Sequence, residues 1–143
     1  MAAQGLHLAV KNDLAEVASV TESMHVFSAQ LGLSHEIDYA LQLVVEELLA
    51  NIIMYGYTND DLHTITIDVQ ANSKEVCLLV RDDGKQFNLL ERPIPQKPAS
   101  LEEASLGGLG ILLVRGTMDE ISYRYDDGRN SISLKKRVNP SIY

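Results

Sequence analysis

Leu6, Leu8 and Val10 alternate with His7 and Ala9, a period of two that predicts a short first strand. A helical period follows. Asn12 or Asp13 is placed to cap it, with Glu16 in the first turn. Leu14, Val17, Val20, Met24, Phe27 and Leu31 are spaced for one buried face, and Gly32 is a suitable stop. Ser34 caps a second, longer helix that runs to about Tyr55, with a core stripe of Ile37, Leu41, Val44, Leu48 and Ile52. Gly56 ends it, and Asn59-Asp60-Asp61 makes a polar loop.

Thr64 to Val69 alternates cleanly, with Ile65, Ile67 and Val69 on one face. Asn72-Ser73-Lys74 reads as a hairpin turn into a strand from Glu75 to Arg81. The pattern then breaks until residue 106, where prolines at 93, 95 and 98 interrupt the chain and Leu101 to Ala104 offers at most a turn of helix. A connection this long inside a compact domain is uncommon and often functional, so about 85–106 is read as a lid, with an idle surface loop as the alternative. Gly107-Gly108-Leu109-Gly110 leads into an apolar helix from Ile111 to Met118. Two last strands close the chain: Ile121, Tyr123 and Tyr125 alternate, then Ile132 and Leu134, around an Asp127-Gly128 turn.

The order is strand, helix, helix, strand, strand, lid, helix, strand, strand. Hairpins argue against a parallel doubly wound sheet. The expected fold class is α+β, a two-layer sandwich with helices packed on one face of a mostly antiparallel mixed sheet. No repeat or linker divides residues 1–143, so one domain is expected.

Composition narrows the function. An apolar fraction of 45% suits a globular protein. The net charge of −8 disfavours direct work on nucleic acid, and Lys135-Lys136-Arg137 reads as the surface end of a strand. A lone cysteine, Cys77, excludes an internal disulfide and a cysteine-based zinc site, and its apolar neighbours suggest a small buried residue. No signal pattern or membrane-length apolar run is visible, which implies a cytoplasmic protein with no membrane partner. His25 is read as structural.

Three short segments carry candidate chemistry. Glu47 and Asn51 lie four residues apart in the column Leu43, Glu47, Asn51, Tyr55, on one face of an otherwise apolar helix. Buried without partners they would cost several kcal/mol. Together they suit a base and a neutral Mg²⁺ ligand; the structural alternative bonds Asn51 to a sheet carbonyl and leaves Glu47 at a solvent edge. Asp82-Asp83-Gly84 is either turn chemistry at a strand end or a carboxylate for a base amino group, with Gly84 making room for a planar ring. Gly107, Gly108 and Gly110 before a helix suit either a turn or phosphate binding, but neither a P-loop nor a Rossmann fingerprint.

The order of the three segments, with a lid between the second and third, resembles the Bergerat-fold (GHKL) ATPases. Glu47 to Asn51 is similar to that superfamily's N box, Asp82-Asp83-Gly84 to its Asp-x-Gly box and Gly107 to Gly110 to its second glycine box. A narrower resemblance is to the bacterial anti-sigma-factor serine/threonine kinases of the RsbW-like or SpoIIAB-like group. It rests on Glu47, Asn51, Gly56 and Tyr57; on Asp82, Gly84 and Phe87; and on the glycine run and Met118 to Ile121.

The resemblance implies ATP and Mg²⁺ as cofactors, with Glu47 as catalytic base and Asn51 holding the metal. It implies that Asp82 reads the adenine amino group, that Gly84 lies beneath the ring, and that Gly107, Gly108, Leu109 and Gly110 line the phosphates. The activity implied is a serine/threonine kinase acting as an anti-sigma factor or partner-switching regulator. Its partners would be a STAS-type antagonist, a sigma factor and, as a homodimer, a second copy. The alternative is a non-catalytic ATP-binding module that sequesters a partner by binding alone. The sequence departs from the group at Tyr55, where histidine is common, and at Asn130-Ser131, where threonines often approach the nucleotide. The lid cations Lys85, Arg92 and Lys97 have no assigned role, and Arg115 reads equally well as a surface residue.

Overall fold

The structure is a computed structural model and describes residues 4–91 and 110–138. Strand β1 (Gln4–Lys11) leads through a 3₁₀ turn into helices α1 (Val17–Leu31) and α2 (His35–Tyr55). Strands β2 (Thr64–Ala71) and β3 (Glu75–Asp82) form a hairpin. A 3₁₀ turn at Leu89–Glu91 precedes the undescribed segment, after which come α3 (Gly110–Thr117), β4 (Glu120–Asp126) and β5 (Arg129–Arg137).

The five strands form one sheet in the order β1-β2-β3-β5-β4, and every pairing is antiparallel. Alternation decides its faces. Ile65, Ile67 and Val69 of β2, Val76, Leu78 and Val80 of β3, and Ile132 and Leu134 of β5 are buried in one core with α1, α2 and Val114 of α3. The opposite face carries polar residues between strands, as one-sided antiparallel sheets do. The expected α+β sandwich is therefore the observed one.

Local signals place most boundaries. Asp13 Oδ1 accepts from the Ala15 amide, and Ser34 Oγ accepts from the Ile37 amide at the start of α2. Gly32 ends α1 at φ 68°, where a side chain would be strained. Asn72 Oδ1 accepts from both Lys74 and Glu75 amides to close the first hairpin. Asp127 and Gly128 both take positive φ, the backbone of a type I′ turn.

Two expectations change. Asp13 caps a 3₁₀ turn and not α1 itself, so Leu14 falls out of phase with the helix and is exposed. Cys77 is half-buried on the open face of the sheet, because Val76, Leu78 and Val80 take the inward parity of β3. Its expected place in the core is thus corrected. Lys136 and Arg137 do end a strand. The Lys136 ammonium donates to the Thr117 carbonyl at 2.9 Å, meeting the negative end of α3. Among the described residues no helix is long and apolar enough to cross a membrane.

Candidate functional site

The site is built along one edge of α2. Glu47 and Asn51 share that edge, and Asn51 is 1% exposed. Its Nδ2 donates to the Glu47 carbonyl at 2.7 Å, a bond back to its own helix. The Glu47 side chain is half-buried. Its Oε2 is shielded from solvent with no hydrogen-bond partner among the described residues. It lies against Gly110 at the first turn of α3, so closely that a Cβ on Gly110 would collide with it. Burial, with a smaller contribution from Glu46, raises the Glu47 pKa above 4.5.

Asp82 enters from the sheet. It is the last residue of β3 and keeps the inward parity of Val76, Leu78 and Val80, so a carboxylate stands where the alternation calls for an apolar side chain. Its Oδ1 accepts from the Gly84 amide at 2.9 Å and from Asn130 Nδ2 at 3.0 Å. Burial pushes its pKa up against the opposing effect of these two bonds. Gly84 is required by backbone packing: a Cβ there would strike the Gly56 carbonyl, which accepts from the Lys85 amide at 2.9 Å. The root of the lid is thereby pinned to the end of α2.

Asn51, Ile52 and Gly56 of the α2 edge, Asp82, Lys85 and Phe87, and Asn130 and Ile132 of β5 enclose a cavity of about 10 Å³, room for about one water. Asp82, Asn51, Glu47 and Gly110 therefore form a connected track. Gly107, Gly108 and Leu109 lie outside the described residues, as do Arg92, Lys97 and the turn expected at Leu101 to Ala104.

Residues of the α2–β2 loop back the site. The Tyr57 ring stacks on His63 with centroids 4.2 Å apart, and its hydroxyl is buried without a partner among the described residues. Burial, then Asp82 and Asp83, push that hydroxyl's pKa far above its usual value. His63 lies 3.2 Å from the Asp83 carboxylate through Nδ1 and 2.9 Å from Asn59 Oδ1 through Nε2. Asn12, just past the end of β1, clamps the same loop, its Oδ1 accepting from the His63 amide and its Nδ2 donating to the Asp61 carbonyl.

Among the lid cations, Lys85 Nζ sits 5.9 Å over the Phe87 ring, and Arg115 of α3 is exposed. No group of three or more His, Cys, Asp or Glu side chains among the described residues could hold a metal. Mg²⁺ needs no such cage, since it keeps several waters and takes one or two protein ligands beside phosphate oxygens. The buried Glu47 Oε2, without a hydrogen-bond partner among the described residues and four residues from Asn51 on the same helix edge, fits that chemistry.

Sequence reasoning left Asn130 and Tyr123 without a role. The available signal was parity: Asn130 shares the inward phase of Ile132 and Leu134, an unfavourable place for an unpaired amide.

The chain is similar to several known proteins. The chain is 29% identical over 107 residues to the serine/threonine-protein kinase BtrW of Bordetella bronchiseptica, covering 75% of each chain. It is 26% identical over 121 residues to the serine-protein kinase RsbW of Listeria monocytogenes, covering 82% of this chain and 76% of that one. It is 27% identical over 118 residues to the anti-sigma F factor of Clostridium perfringens, covering 82% and 84%. The fold superposes on a crystal structure of the RsbU and RsbW domains of a Mycobacterium tuberculosis protein with a TM-score of 0.67 at 16% identity. That match takes in 94% of this chain and about a third, 32%, of the other. Residues 10–136 match the family described as the histidine kinase-like ATPase domain, and the chain belongs to that family.

Proposed function

We propose that the protein is an ATP- and Mg²⁺-dependent serine/threonine kinase of the partner-switching type, which phosphorylates a STAS-type antagonist and sequesters a sigma factor or comparable effector. The observation that carries this reading is the track from Asp82 through Asn51 and Glu47 to Gly110 along one edge of α2. The names of its relatives, two protein kinases and an anti-sigma factor, point the same way.

In this reading Asp82 accepts a hydrogen bond from the adenine amino group through Oδ2, since Oδ1 is already engaged by Gly84 and Asn130. The tight contact of Gly84 with Gly56 holds that carboxylate in place and leaves the ring a flat floor. The glycines at 107, 108 and 110 give the phosphates access to backbone N–H groups at the start of α3. Asn51 would hold Mg²⁺, which when bound neutralises charge on the phosphate oxygens. Glu47 takes the proton of the acceptor serine. Its raised pKa makes it a stronger base than an exposed carboxylate, and its position beside α3 keeps it close to the phosphate end of the track.

Incubation with ATP, Mg²⁺ and a STAS-domain protein encoded nearby is expected to add one phosphate to that protein, read by intact mass. Absence of transfer to every such neighbour would overturn the kinase reading. Asn51→Ala is expected to abolish Mg²⁺-dependent ATP binding in calorimetry. Near-normal affinity would return Asn51 to a purely structural role.

A further inference from the structure

Asn130 is 4% exposed and stands directly opposite Asp82 in the β3–β5 register. A side-chain amide offers two N–H donors and an oxygen with two lone pairs. Here all are used. Nδ2 donates to Asp82 Oδ1 at 3.0 Å and to the Lys85 carbonyl at 2.8 Å, with the Gly84 carbonyl 3.5 Å away. Oδ1 accepts from the Phe87 amide at 3.1 Å and from the Tyr123 hydroxyl. One amide thus holds the buried carboxylate with one hand and the first residues of the lid with the other.

We propose that Asn130 is a positioning residue that ties the Asp82 carboxylate to the root of the lid in the ligand-free protein, so that loosening one side loosens the other until base entry releases the lid root. The coupling deepens the nucleotide-site reading and rests on it for its functional meaning. Lys85 and Phe87 line the cavity of about 10 Å³ between α2, Asp82 and Asn130. A purine needs far more room, so base entry must draw the lid root away from Asn130. The bonds from Asn130 to Lys85 and Phe87 break at that step, while the bond to Asp82 keeps the carboxylate aimed at the arriving base. An amino group on the base satisfies Asp82 Oδ2, whereas a carbonyl oxygen at the same place repels it. Selection of adenine over guanine and release of the lid root are thereby one event.

The test is amide hydrogen exchange on the ligand-free protein, followed by affinity for MgATP and MgGTP. Asn130→Ala is expected to speed exchange at Phe87 and Gly84 about tenfold or more, with core amides such as Val69 and Leu78 unchanged. Coupling further demands that Asp82→Ala speed exchange at Phe87, which Asp82 does not touch. In Asn130→Ala the affinity for ATP is expected to fall about tenfold, with a smaller loss for GTP, so that the ATP-to-GTP preference shrinks. Tyr123→Phe removes the hydroxyl that is donated to Asn130 and that also meets the Phe87 backbone, so Gly84 is its independent reporter, and it provides a folded variant if the others fail. It should shift the same amides in the same direction, by about threefold.

Wild-type exchange at Phe87 in a folded Asn130→Ala protein, or at Gly84 in a folded Tyr123→Phe protein, would overturn the proposal, as would an Asp82→Ala protein in which Phe87 is unaffected. Wild-type protein that binds neither nucleotide would instead overturn the nucleotide-site reading, and the exchange data would still decide whether Asn130 couples the two segments.

Discussion

Helix α2 carries two carboxylates away from solvent, Asp38 in its first turn and Glu47 about two and a half turns further on, and their surroundings differ. Asp38 Oδ2 meets His25 Nδ1 at 2.7 Å across the α1–α2 packing. Asp38 Oδ1 has no hydrogen-bond partner among the described residues, and burial pushes the carboxyl up, but the bond of Oδ2 to His25 leads the effects that outweigh burial and hold the pKa below 3.8. Hydrogen bonding to Asp38, followed by its charge, raises His25 above 6.5. Glu47 has no such partner among the described residues, and burial raises it. Asp38 has the environment of a residue that secures the fold, whereas unneutralised burial makes the Glu47 carboxylate more basic, which supports the base role proposed for it.

The comparison is broken most severely if alanine at the two positions has the same effect. Glu47→Ala is expected to slow phosphoryl transfer by about 10²–10⁴-fold, the usual share of a general base, with MgATP affinity within about threefold of wild type. Asp38→Ala is expected to leave transfer nearly unchanged and to lower stability by about 1–2 kcal/mol, through the loss of a charge-assisted bond and a favourable helix-end charge. Single-turnover transfer assays and denaturant unfolding check the pair. Full regulation of the partner by Glu47→Ala protein would favour sequestration by binding alone.

A smaller effect sharpens the Glu47 side. A carboxyl whose folded pKa is raised opposes folding above that pKa, and the penalty disappears below the unfolded value near 4.5. Glu47→Gln is therefore expected to melt higher than wild type at pH 7, with the advantage shrinking as the pH falls toward 4.5. Melting curves across that range test it, and an advantage independent of pH would separate it from the Glu47 charge.

The smallest effect belongs to His25, whose ring is largely exposed. Its stabilisation is fully present below pH 6.5 and is lost as the pH rises through its raised folded pKa. The Asp38 share is present above 3.8 and is lost as the pH falls through its lowered folded value. His25→Ala is expected to lower the melting temperature measurably near pH 5.5 and scarcely at all near pH 9. An equal loss at both would mean that the ring acts by packing alone.

Much of this was legible from local chemistry. Ser34, Gly32, Asn72 and Asp127-Gly128 act through backbone preferences that neighbouring residues alone determine, and each did so where expected. The polar pair Glu47 and Asn51 stood out because a helix of that apolarity leaves few reasons for them. Leu14 and Cys77 depart from their expected burial for a common cause: the phase of an apolar residue depends on where its element starts and which parity of the sheet the helices cover. Asn130 was legible as an anomaly of parity and illegible as a partner, since its bonds to Asp82, Lys85 and Phe87 reach 43 to 48 residues back along the chain.

The sequence by itself determined the elements, their order and the residue types from which a nucleotide site could be assembled, because periodicity, caps and turns are local. Only the tertiary structure decided that β5 lies between β3 and β4, and with it that Asn130 faces Asp82. It also decided that Gly110 comes to rest against Glu47 and that Gly84 packs on the Gly56 carbonyl. Those contacts depend on long-range strand pairing and on helix packing, which no single stretch of chain encodes.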